Sequence, residues 1–221
     1  MDDSVIAAMA KWPNVPAAYG WLSLSENGQW RLHADGKAHQ PCSDGTLPKG
    51  ESIANQQIHT FINRNYSSDT QGRWFFQNGP QRVYVRLDAA PYVIEATPAL
   101  QSLSLVTHTG QPVKRVTEWF MDDAGRLYAQ TDQGPGIISG RDTPLLLDCL
   151  RTREGHPIST LPETEEAPPI EVTISLHYNN AVEHCLARLR VCSQENLPGL
   201  MHFQRIPLPS NSNEPDSRTA P

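Results

Sequence analysis

Three stretches constrain this chain more than any other. Residues 21–33, 73–87 and 113–130 each alternate apolar and polar side chains about a turn that carries glycine. Period-two alternation gives a strand one apolar face, and two such runs about a Gly-bearing loop read as a β-hairpin. In the first, a three-residue loop Glu26-Asn27-Gly28 with a left-handed Gly28 pairs Leu24 with Trp30 and Leu22 with Leu32. All four then share a face. A two-residue loop would set Leu24 against Arg31, and a one-residue slip exchanges the faces, so burial favours the longer loop. In the third, a loop at Asp123-Ala124-Gly125 places Met121 opposite Leu127 and Trp119 opposite Ala129. In the second, Asn78-Gly79 marks the turn, with a four-residue loop as the alternative because Pro80 lacks an N–H. Either loop puts Trp74, Phe76, Val83, Val85 and Leu87 on one face, and Arg73, Phe75, Gln77, Arg82, Tyr84 and Arg86 on the other.

The remaining elements are shorter. Ala54, Ile58, Phe61, Ile62 and Asn65 fall on one face of a helix predicted over 53–66, with Ser52 as its cap. Asp142-Thr143-Pro144 starts a second helix over 145–151. Tyr92-Val93-Ile94, Ser104-Leu105-Val106 and Ile137-Ile138 read as strands, as do Val172, Ile174 and Leu176. Asn180 and Glu183 fit a capping box that opens a helix to Val191, and the same residues fit a strand equally well. Of 221 residues, 19 are proline, above the usual ~5%, which argues against a helical bundle. The expected fold is α+β and β-rich, built of antiparallel hairpins with two or three short helices. The expected organisation is a core domain over 1–154 with a loop insertion at 34–50, a Pro/Glu-rich linker at 155–170, a strand or helix segment at 171–207, and a disordered tail at 208–221.

Three turns resemble one another: Ser25 to Trp30, Asp69 to Trp74 and Asp122 to Leu127. Their glycines are too unevenly spaced for a solenoid or propeller. Shared turn chemistry and an old duplication of a strand–turn–strand–helix unit both account for them.

Net charge is −6, with no basic stripe to release counterions from a phosphate backbone, which disfavours nucleic acid as a partner. Single-stranded binding through Trp74, Phe75 and Tyr84 as stacking platforms is the form such binding would take. The longest apolar run, Val5 to Ala10, is far short of a membrane span. The acidic opening Met1-Asp2-Asp3 has no signal-peptide pattern. A cytoplasmic location is expected, with Cys42, Cys149, Cys185 and Cys192 as free thiols. His184-Cys185 with Cys192 lacks the paired spacing of a zinc site. No phosphate-binding loop, dinucleotide fingerprint, nucleophile elbow or metalloprotease helix is present. The sequence therefore assigns no metal and no cofactor, and leaves the oligomeric state open.

The face carrying Arg73, Phe75, Gln77, Arg82, Tyr84 and Arg86 is the most specific feature. Three guanidinium groups, two aromatic rings and an amide share it with no carboxylate among them. Guanidinium stacks on rings and grips carboxylates or phosphates in pairs of hydrogen bonds. One reading makes the face internal scaffolding. The other makes it the recognition surface of a non-catalytic binding or adaptor protein, for a partner protein, an acidic peptide or an anionic ligand. The alternative from another class is a small hydrolase with His59 or His108 as general base.

The strings Trp12-Pro-Asn-Val-Pro16, Tyr19-Gly-Trp-Leu-Ser-Leu24, Phe61-Ile-Asn-Arg-Asn-Tyr66 and Trp74-Phe-Phe-Gln-Asn-Gly-Pro-Gln-Arg-Val-Tyr-Val85 resemble those of a proteobacterial domain family of unknown function. Val106-Thr-His-Thr-Gly110 and the acidic-Gly turn at Gly125 are similar too. The likeness spans about residues 10–150. It implies a bacterial cytoplasmic protein and supplies no catalytic residue.

Overall fold

The structure is a computed structural model that describes residues 1–99, 102–158, 162 and 164–209. It is β-rich α+β, with 40% strand and 14% helix. The chain divides into two compact units. The first holds residues 1–25, 29–88 and the segment from 203, and the second holds 26–28 and 89–202.

In the first unit the elements are α1 (Asp3–Lys11), β1 (Ala18–Leu24), β2 (Trp30–Leu32), β3 (Glu51–Ser52), α2 (Gln56–Arg64), β4 (Tyr66–Ser68), β5 (Trp74–Asn78) and β6 (Gln81–Leu87). They form one six-stranded sheet in the order β3-β2-β1-β6-β5-β4. Leu22 pairs with Leu32 and Leu24 with Trp30, the expected register, and Gly28 takes φ +77°. The second hairpin closes with Gly79-Pro80, since Asn78 pairs with Gln81 and Phe75 with Tyr84. The loop is as long as the expected Asn78-Gly79 one but begins one residue later, which shifts the pairing by two residues, so the facing survives. Pro80 is tolerated because Gln81, not Pro80, carries the N–H beside the turn. β1 and β6 pair in parallel, which joins two hairpins remote in sequence.

α2 is shorter than expected. Its cap is Asn55, whose side chain accepts from the N–H groups of Gln57 and Ile58. Ser52 is taken up by pairing with Arg31. Ile62 is buried as the helical spacing requires, but Ile58 stands 46% exposed. α1, where the sequence showed only a short apolar run, is anchored through Val5 and by the Asp2 carboxylate on Arg64, 3.0 Å away.

The second unit contains β7 (Tyr92–Ala99), β8 (Ser102–Thr107), β9 (Pro112–Val113), β10 (Val116–Met121), β11 (Leu127–Thr131), β12 (Gly134–Ile138), α3 (Thr143–Cys149), β13 (Arg151–Thr152), β14 (Ile170–Tyr178), β15 (Ala181–Val191) and α4 (Leu197–Leu200). Strands β14-β15-β10-β11-β12-β7-β8 run side by side, and β8 pairs back onto β14 to close a barrel. The closing pair is Leu176 with Leu103. Met121 faces Leu127 and Trp119 faces Ala129, as the alternation predicts. Residues 181–191 form a strand, not a helix, and pair with β14 from Ala181 to Leu189.

The continuous core expected over 1–154 is therefore divided between residues 88 and 89. A barrel cut at 154 would lose β14 and β15, the neighbours of β8 and β10. Parallel pairing between such distant strands leaves no trace in local alternation. The segment expected over 171–207 is also divided. Leu87 N–H donates to Arg205 C=O at 2.8 Å, tying the last described residues to the first unit. Of the expected linker, Pro157 forms a bridge with Arg151, while residues 159–161 and 163 lie outside the described residues, as does the tail from 210.

A five-residue turn recurs in both units. The first N–H donates to the fifth C=O at Asp69–Arg73 and Asp122–Arg126, and Gly72 and Gly125 both take φ +73°. In each, the Asp Oδ1 accepts two turn N–H groups, and Oδ2 accepts the Arg Nε at 2.7 Å and a Tyr hydroxyl, Tyr84 or Tyr128. The Asp122 side chain is fully buried. Replacing it strands several donors at once. We expect Asp122→Ala to cost about 3 kcal/mol in urea unfolding, and a loss under about 1 kcal/mol would show that the carboxylate does not hold the turn.

Candidate functional site

Strand pairing brings the six predicted site residues onto one face of the first sheet, and the fold then covers that face. Arg73, Phe75, Gln77, Tyr84 and Arg86 are all buried, and Arg82 alone is half-exposed. Asp69 pairs with Arg73 at 2.7 Å. Burial works against the Arg73 charge, but the Asp69 carboxylate, with Tyr84 and Tyr19, outweighs it and leaves the pKa raised. Burial, aided by Asp69, pushes the Tyr84 hydroxyl up to about 12. Tyr19 stacks on Tyr84 with centroids 4.6 Å apart, and Arg82 lies 4.6 Å from the Phe75 centroid. The face expected to recognise a partner is thus internal scaffolding. The sequence showed no carboxylate among these residues because the partners come from elsewhere, from a turn and from a loop. Trp74, Phe75 and Tyr84, proposed as stacking platforms for bases, are all buried.

Arg86 shows this most clearly. It is 2% exposed. Its Nη1 donates to the carbonyls of Ala38 and Pro48 at 2.6 and 3.0 Å, and its Nη2 pairs with Asp88 at 2.9 Å. Both carbonyls belong to the 34–50 segment, which the sequence marks only as an insertion. Beside it, Ser23 Oγ and His33 Nε2 lie 2.8 Å apart, both buried. Sequence reasoning missed this pair. The hairpin register contained a signal, since it sets Ser23 opposite Arg31, two residues from His33 on the same side. Ser23 is wholly shielded, so the hydroxyl–imidazole pair has no approach for a substrate in this conformation.

The two histidines considered as general bases are held by backbone groups. His59 Nε2 bonds the Ile53 carbonyl. His108 Nδ1 accepts the Val93 N–H at 3.2 Å, and burial holds its pKa down to about 3. His108 is therefore neutral at physiological pH and a very weak base. All four cysteines are free, and burial pushes the Cys192 thiol up to about 11, which makes it a poor nucleophile. Among the described residues no group of three His, Cys, Asp or Glu side chains is placed to hold a metal ion. No described helix is long and apolar enough to cross a membrane.

The opposite face of the first unit leaves an apolar groove of about 460 Å³ open between α2 and the β1–β3 edge. Leu32 and Ile58 stand on it 43% and 46% exposed, with Leu22, Ile62 and Phe76 also lining it, while the Trp21 indole at its edge turns to the other face against Gly36. A second cavity of about 550 Å³ in the second unit lies between α3 and the loop at Arg126.

If the arginine face is scaffolding, its members should differ in stability cost and not in binding. Arg86→Ala leaves two loop carbonyls and Asp88 without their partner and should cost about 3 kcal/mol. Arg82→Ala loses a ring contact and a side-chain hydrogen bond with Tyr84 at a half-exposed position and should cost about 1 kcal/mol, well below Arg86→Ala. Chemical unfolding that reverses this order would return the face to the surface.

Neither a curated protein nor a solved structure matches the chain. A family model, DUF2944, described as "Protein of unknown function (DUF2946)", matches residues 1–207. The match takes in both units, and the chain belongs to this family.

Proposed function

We propose that the protein is a non-catalytic binding module whose recognition surface is the apolar groove of the first unit. The observation that carries this is the pair Leu32 and Ile58, each over two-fifths exposed, around one concavity lined also by Leu22, Ile62 and Phe76. Exposed apolar residues scattered singly need no explanation, whereas a contiguous concave set points to an interaction site. Its rim is polar and mostly uncharged, with Ser52, Asn55 and Asn78 beside a single acid, Glu51. Such a rim offers little to a phosphate or a carboxylate. The fitting occupant is a hydrophobic segment of a partner chain with two or three large side chains on one side. Each anchor that leaves water contributes about 1.5–3 kcal/mol before association costs, which suits a transient complex. Acidic peptides and anionic ligands lose support, because the arginines that would hold them are engaged internally. Four free cysteines support a reducing, cytoplasmic setting.

Selection of displayed peptides on the purified protein tests the proposal. Enriched peptides should carry large apolar residues at i, i+3 or i+4 spacing, and Ile58→Glu should weaken them at least tenfold. Because Ile58 is exposed, that variant should change stability by no more than about 0.5 kcal/mol. Enriched peptides that bind Ile58→Glu and the parent equally would place recognition elsewhere.

A further inference from the structure

A polar cluster lies beneath the 34–50 segment of the first unit. Ser23 comes from β1, Arg31 from β2, His33 from just beyond it, Asp35 and His39 from the segment itself, and Arg86 and Asp88 from β6 and its end. The segment lies flat on this cluster. A Cβ on Gly50 would stand 2.6 Å from His33 Nε2, and one on Gly20 would stand 2.1 Å from the Gly36 carbonyl. Its attachments to the sheet are polar: Ala38 N–H to Gly20 C=O at 2.9 Å, Arg86 to the Ala38 and Pro48 carbonyls, and Arg31 to the Gly50 carbonyl at 3.4 Å. Ala38 is its one fully buried apolar side chain, and residues 40–47 are exposed. Arg86 Nε and His39 Nε2 are buried without a hydrogen-bond partner among the described residues.

We propose that residues 34–50 form an acid-released cover, held closed while His33, which lies against Gly50, and His39, which follows the Ala38 carbonyl that Arg86 grips, are both neutral. Protonating either ring adds a cation to a cluster that already holds the buried Arg86 and, near His33, Arg31; the carboxylates that act on His33 are Asp35, which is exposed, and Asp88, which is half-buried and already pairs with Arg86. Burial, followed by Arg86, depresses the pKa of each histidine below the ordinary 6.5. The sign follows directly. An imidazole with a depressed pKa favours the closed form when neutral. That contribution is complete above pH 6.5 and is lost as the pH falls below it, because the open form binds protons more readily. Release uncovers Ser23, His33 and Arg86. This inference is independent of the apolar groove and survives if that reading fails.

Hydrogen exchange followed by mass spectrometry, corrected for intrinsic rates, tests it. Between pH 7 and pH 5, amides of 34–50 should exchange roughly tenfold faster or more, while those of 116–131 hold steady. In His33→Gln/His39→Gln the change should shrink below twofold. Asp88→Asn, which removes the carboxylate alone, should keep the acid response. Two results overturn the proposal: an unchanged segment at pH 5, or a response that vanishes in Asp88→Asn and persists in the histidine double variant. Should the double variant fail to fold, proton NMR of the parent protein decides. The His33 and His39 rings should titrate only as signals from 34–50 broaden, and a ring protonated while those signals stay sharp refutes the mechanism.

Discussion

A buried guanidinium cannot be left without acceptors, and Arg86 imposes that condition on the first unit. Taking a charge out of water costs several kcal/mol unless hydrogen bonds and a counter-charge replace the lost solvation. Ala38, Pro48 and Asp88 supply them. Two of the three lie in a Gly- and Pro-rich segment with almost no apolar anchor of its own. The arginine therefore dictates where that segment lies, and the segment shields the arginine. Each half is unstable without the other, which explains how 17 residues of loop composition lie flat on a sheet.

The same solution recurs at the Asp69 and Asp122 turns. An aspartate holds the turn's own N–H groups with one oxygen, and the following Arg and a Tyr with the other. The tyrosine arrives by different routes, from β6 in the first unit and from the adjacent strand β11 in the second. The local part of the motif is common to both units, and the part contributed by distant strands is not. Shared turn chemistry accounts for this pattern without a duplicated unit.

What could be read from the sequence divides along the same line. The registers of the first and third hairpins, the facing of the second and the proline-led start of α3 all follow from contacts within about 15 residues, where alternation and turn chemistry decide. The parallel pairings β1–β6, β10–β15, β12–β7 and β14–β8 were not legible, and those pairings determine the unit boundary. The site followed suit. Arg73, Phe75, Gln77, Arg82, Tyr84 and Arg86 were correctly grouped on a face, because facing is local. Whether that face met water depended on Asp69, on the 34–50 segment and on residues 203–209, which no spacing rule connects to it. The groove was missed for the same reason. Helical spacing sets Ile58 on the same side as the buried Ile62, yet it stands exposed beside the edge strand β3, which no local rule reveals.

The barrel of the second unit is stitched unevenly. β14 and β15 are zipped along nine residue pairs, while β14 meets β8 at one. A closed wall yields first where it is sewn most thinly, so thermal breathing of this barrel concentrates at Leu103 and Leu176. A partly opened molecule presents the rims of β8 and β14 as bare ladders of N–H and C=O groups. These are the templates on which chains exchange strands or aggregate.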